Sequence, residues 1–166
     1  MAPNRVAYGR IVVDGTPPTA DEELNDRDAR CADAAIRRGS IPFHGAAIDG
    51  AATGATRGIV VLAGVSGSGK STLAAAATLD GWGYVADEIA AVDPHTLHAS
   101  PYHRPVGLRR QGADALGLGF PPERTVPGDP VDWPVEPQRH SPGGRVSLIA
   151  LVTWEPNEPT TCEPVE

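Results

Sequence analysis

A chain of 166 residues is long enough for one domain with a real core and leaves little room for a second. Its 40% hydrophobic content, with only 5% aromatics, describes a globular core of Val, Leu, Ile and Ala and excludes a disordered tail or a disulfide scaffold. A net charge of -7 argues against general affinity for nucleic acid or anionic membrane, and no run approaches the roughly 20 apolar residues that span a bilayer.

The first ten residues carry charge but no apolar signal core, so the expected location is cytoplasmic. Cys31 and Cys162 lie far apart without metal-ligand or redox spacing and read as free thiols. A helix is expected after Pro18, with Thr19 and Glu22 at capping-box spacing and Gly39 as its stop. Leu24, Cys31, Ala35 and Ile36 would share its narrow apolar face, in an otherwise solvated structural helix.

Residues 41–49 (IPFHGAAID) and 57–65 (RGIVVLAGV) read as two strands joined by a flexible glycine- and alanine-rich hairpin loop, the second strand buried by composition. Residues 71–83 (STLAAAATLDGWG) supply a helix with Gly81 at the left-handed cap position, and 83–93 (GYVADEIAAVD) a further strand. A turn and short strands follow over 93–109. Residues 119–144 are too proline-rich to be much besides ordered loop, and 145–154 form a last apolar strand.

Between the buried strand and the alanine-rich helix lies GVSGSGKST, Gly64 to Thr72, which holds the only lysine among 14 basic residues. Gly64, Gly69, Lys70 and Ser71 satisfy the spacing G-x-x-x-x-G-K-[ST] in the strand-to-helix context that the motif requires. In such a loop successive backbone N–H groups and the helix N-terminus attract phosphate, and the small residues Ser66, Gly67 and Ser68 after Val65 let phosphate oxygens reach them. Lysine is a compact ammonium on a flexible stem that can follow those oxygens, where a planar guanidinium is more demanding. Ser71 would give its hydroxyl to Mg²⁺ on the nucleotide.

A right-handed strand–helix–strand unit makes consecutive strands neighbours, which would bring Asp87 and Glu88 to the sheet edge that carries the loop. One carboxylate there can hold the metal and one can take the proton of an attacking hydroxyl. Alternation along the strand aims the two apart, and Asp87 is favoured as the functional acid.

Together, FHGAAID, VVLAGVSGSGKSTLA and GYVADEIAAVD resemble the catalytic domain of HPr kinase/phosphorylase and its serine kinase-like relatives, over about Ile41 to Arg110. The segment PYHRPVGLRR also looks like the one that follows the acidic strand in those relatives. The resemblance implies an α/β fold with a P-loop nucleoside triphosphatase-type core similar to phosphoenolpyruvate carboxykinase, a mixed sheet and few helices. It implies ATP and Mg²⁺ as cofactors and transfer of the γ-phosphate to a hydroxyl of a protein, a peptide or a small molecule. The phosphate loop then falls on Gly64 to Ser71, the catalytic acid on Asp87 and the histidine of the H-G motif on His44, which would donate to the transferred group or orient Asp87. Glu88 stands where the family's second aspartate is usual, and with Ser71 and Asp87 it is a candidate metal ligand.

The expected organisation is an N-terminal segment with one helix over 1–40, a P-loop kinase-like domain over 41–154, and an acidic, proline-rich tail over 155–166 that ends either a natural minimal protein or a truncated one. A homo-oligomer is compatible with it. The competing class is a nucleotide-binding regulatory or scaffold protein without transfer. A transporter-type ATPase lacks its signature insertion, and a GTPase lacks N-K-x-D because Lys70 is the sole lysine. His95, His98 and His103 have no cysteine or paired carboxylate to complete a zinc site. Arg104, Arg109 and Arg110 are candidates for neutralising phosphate charge, and Trp82, Trp133 and Trp154 for core or loop anchoring.

Overall fold

Alternation of side chains along two strands decides how this chain folds. In the computed structural model, which describes residues 20–54, 58–119, 130–155, 158 and 161–163, β1 (Ile41–Asp49) and β2 (Ile59–Ala63) pair antiparallel with Gly45 opposite Ala63 and Asp49 opposite Ile59. Every residue of β2 is buried. Ile59 and Val61 enter one apolar cluster, and Val60 and Leu62 another on the opposite face, as a period of two demands.

The first cluster lies inside a closed circuit of strands. β1 pairs with β4 (Ile89–Val92), β4 with β5 (His98–Ser100), β5 with β8 (Gly144–Leu151), and β8 with β2. The β2–β1 ladder closes the ring. Only β2–β8 is parallel, so the sheet is mixed. Each strand of the ring contributes to the interior: Ala47, Ile59, Val61, Ala90, Val92 and Ala99, with Val146 of β8 packed against them. Small and β-branched side chains fill the ring, with Phe43 of β1 and Tyr102 packed against them.

The second cluster joins the outer face of β1 and β2 to α2 (Lys70–Leu79) through Ala46, Ile48, Val60, Leu62 and Ala74. β3 (Gly83–Ala86) continues the edge of β1 that β4 occupies, and a third cluster packs Ala75 and Tyr84 against β6 (Val106–Leu108) and α3 (Arg110–Ala115). β6 pairs with β7 (Val131–Trp133) in a separate two-stranded sheet. Short 3₁₀ turns occupy Gly50–Ala52 and Pro137–Arg139.

The α/β class with a mixed sheet and few helices is as expected from sequence, and several particulars differ. β2 and β3 are not neighbours: β1 lies between them, pairing with both. The strand expected over 83–93 is broken in two at Asp87 and Glu88. Part of the proline-rich stretch forms β7, because Val131–Trp133 finds a partner edge in β6; residues 120–129 lie outside the described part. α1 (Ala20–Arg37) buries Ala35 and the charged Asp28, while Ile36 is exposed. Its expected cap at Thr19 lies outside the described residues. Among the described residues no helix is long and apolar enough to cross a membrane.

Candidate functional site

The loop Gly64–Thr72 is held at both ends. Just past β8, the Val152 N–H donates to the Ala63 carbonyl at 2.7 Å. A β-carbon on Gly64 would overlap the Val152 carbonyl oxygen and crowd Ser68 Oγ, so only glycine lets the chain leave the sheet here. Gly69 caps α2 in the left-handed conformation, φ 93°, which glycine adopts at no steric cost. Between them Val65, Ser66 and Gly67 are exposed, and Ser68 and Lys70 are buried.

Lys70 lies across its own loop: Nζ donates to the Val65 carbonyl at 2.8 Å. Ser68 Oγ is buried without a hydrogen-bond partner among the described residues, a cost of roughly 1–3 kcal/mol that the loop tolerates. Thr72, in the first turn of α2, packs against Gly112 of α3 so closely that a β-carbon on Gly112 would stand 2.6 Å from Thr72 Oγ1.

The acids diverge at the break between β3 and β4. The Ile89 N–H donates to the Asp87 carbonyl at 2.8 Å, closing a three-residue turn around Glu88, whose φ of 67° is unusual for a residue with a side chain. The turn buries Asp87 to 3% exposure and leaves Glu88 half exposed. Asp87 Oδ1 accepts from Ser71 Oγ at 3.0 Å, and Oδ2 from the Gly107 N–H at 3.1 Å. Burial pushes the Asp87 carboxyl above the ordinary carboxylate range, opposed by its hydrogen bonds to Gly107, Glu88 and Ser71.

Glu88 is turned to the other partner. His44 Nε2 donates to Glu88 Oε1 at 2.9 Å, and the Gly45 N–H donates to the Glu88 carbonyl at 3.1 Å. Of the two roles expected for His44, donating to the transferred group or orienting Asp87, the geometry does not show the second: His44 pairs with Glu88.

The arginines separate clearly. Arg104 is buried at 9% exposure and pairs with Asp28, with Asp132 a further 3.7 Å contact; Tyr102 Oη donates to the second Asp28 oxygen at 2.8 Å. That network ties α1 to the segment before β6, so Arg104 is structural and not a phosphate ligand. Neither Asp28 nor this clamp had any local signal in the sequence. Arg109 and Arg110 are exposed, and Arg109 Nη1 stands 3.5 Å from where a β-carbon on Gly67 would lie.

His103 stacks on His140 at 4.1 Å between centroids and contacts the Ser141 carbonyl through Nε2 at 2.9 Å. Trp82 and Trp133 pack on apolar clusters as expected; Trp154 is 65% exposed and belongs to none.

A nucleoside triphosphate with Mg²⁺ is what the loop implies, and the donors present fit it. Among the described residues no three His, Cys, Asp or Glu side chains gather to hold a metal by themselves. One hydroxyl and one buried carboxylate, 3.0 Å apart, suit instead an ion that arrives on phosphates and keeps much of its hydration. Compared with known proteins, the chain matches no family model, no curated protein and no solved structure.

Proposed function

We propose that this chain binds a nucleoside triphosphate through Gly64–Thr72 and transfers its γ-phosphate to a hydroxyl group, in the manner of an HPr kinase-like enzyme. The observation that carries the reading is the 3.0 Å contact from Ser71 at the start of α2 to the buried Asp87, which joins the phosphate loop to the acidic turn. Ser71 and Asp87 would hold Mg²⁺, which when bound neutralises phosphate charge and lowers the barrier to transfer.

The divergence of the two acids divides the work. Asp87, enclosed and engaged on both oxygens, is a cation holder. Glu88, half exposed and oriented by His44, is the proton acceptor. In the transfer the acceptor oxygen bonds to the γ-phosphorus, the bond from that phosphorus to the bridging oxygen of the nucleoside diphosphate breaks, and the hydroxyl proton passes to Glu88. Lys70 must leave the Val65 carbonyl to reach phosphate, a movement its flexible stem permits.

The test is incubation of the purified protein with labelled ATP and Mg²⁺, with and without extract of the source cell as acceptor. Label transfer that disappears in Lys70→Ala and Asp87→Ala is expected. Nucleotide binding lost in Lys70→Ala, with no transfer by the unaltered protein to any acceptor, would assign the chain to the regulatory or scaffold class instead.

A further inference from the structure

We infer that Arg109 is a second phosphate-binding cation of this site, reaching from the β6–α3 junction to the tip of the loop, so that affinity rises with the number of phosphates on the ligand. The inference rests on the phosphate-loop reading above and adds to it a residue outside the motif. Its first support is place: the guanidinium stands beside Gly67, which is exposed in the loop, with Nη1 3.5 Å from where a β-carbon on Gly67 would lie.

The second support is availability. Arg30 pairs with Asp26, Arg37 with Asp33 and Arg104 with Asp28, whereas Arg109 is exposed and forms no ion pair among the described residues. The two acids of the site are already engaged, Asp87 by Ser71 and Gly107 and Glu88 by His44.

The third support is that the backbone under Arg109 is fixed to the site itself. Two residues before it, the Gly107 N–H is held by Asp87; next to it, Leu108 is 2% exposed in the core; three residues after it, Gly112 lies against Thr72. The guanidinium is thus delivered to the loop by the same α2 and acidic turn that position Ser71 and Asp87. A planar fork of donors complements the point charge of Lys70, because it can engage two oxygens of one phosphate at once.

Binding of ATP, ADP, AMP and inorganic tripolyphosphate, each with Mg²⁺, to the unaltered protein, Arg109→Ala, Arg109→Lys and Lys70→Ala decides the matter. Arg109→Ala is expected to weaken ATP and tripolyphosphate by roughly tenfold to a hundredfold, to affect ADP less, and to leave AMP nearly unchanged. Arg109→Lys should recover part of the loss. Thermal melting checks that the exposed substitution leaves the fold intact. Unchanged ATP affinity in Arg109→Ala, while Lys70→Ala has lost it, would overturn the role of Arg109 alone. Equal weakening of all the nucleotides would overturn it too, by assigning Arg109 to the nucleoside or to the fold. Unchanged ATP affinity in Lys70→Ala would sink the phosphate-loop reading and Arg109 with it.

Discussion

Two carboxylates are buried almost equally in this protein, Asp28 at 7% exposure and Asp87 at 3%, and they are answered in opposite ways. Burial raises the pKa of each. Asp28 receives a hydrogen bond from Tyr102 and a full positive charge from Arg104, itself buried, so the charge is compensated within the fold. Asp87 is answered by neutral donors, the Ser71 hydroxyl and the backbone N–H groups of Gly107 and Glu88, while the Arg104 charge acts on it without pairing with it. Neutral donors satisfy its lone pairs without cancelling its charge. The first arrangement holds its counter-charge in an ion pair; the second has none paired with it, and it lies beside the glycine-rich loop.

The sharpest way to break this contrast is to remove the cation that the fold does supply. Arg104→Ala leaves Asp28 buried without the guanidinium that pairs with it and is expected to cost roughly 3–5 kcal/mol, read as a fall in the urea midpoint at unchanged slope. Nucleotide affinity of the protein that remains folded should hold. Loss of phosphate transfer without loss of stability would instead place Arg104 in the site.

Glu88→Gln keeps an acceptor for His44 but cannot take a proton. Transfer should fall by about 10²–10⁴ while ATP binding stays near that of the unaltered protein. Full activity in this variant would return the proton acceptor to Asp87.

The smallest expected effect is the most diagnostic. A carboxyl whose folded pKa is raised favours the fold while protonated, so ionised Asp87 opposes folding at neutral pH. The stability of the unliganded protein should therefore decline as pH rises from about 4 through the folded-state value, with Asp87 contributing to the decline. Asp87→Asn, whose amide can still accept from Gly107 and donate to Ser71, should remove that part of the slope and raise the neutral-pH melting temperature by a few degrees, while abolishing Mg²⁺-dependent transfer. A lower melting temperature would mean that the two neutral donors already compensate the charge.

What the sequence disclosed follows the range of its signals. GVSGSGKST, the buried strand before it and the alanine-rich helix after it are local patterns, and each stands where the pattern puts it. Strand order is not local. The insertion of β1 between β2 and β3 depends on which edge each strand finds, and period-two alternation is silent about edges. The turn at Glu88 was hidden because V-A-D-E-I-A-A-V contains no glycine, proline or asparagine to announce a positive φ. That turn is what sends His44 to Glu88. The Arg104–Asp28 pair joins residues 76 apart, so a guanidinium that resembled a phosphate ligand in sequence was unrecognisable as half of a clamp.

The closed circuit of strands also has a consequence in time. β8 is the last strand among the described residues, yet it seals the ring against β2 and β5, and the Ser147 hydroxyl meets the Ile59 carbonyl across a separation of 88 residues. Val152, just beyond it, backs Gly64. During synthesis the glycine-rich segment emerges early but acquires its seat only after β8 has left the ribosome. The seat of the glycine-rich segment is therefore a property of the completed ring, and a nascent chain that carries the whole motif still lacks the wall behind it.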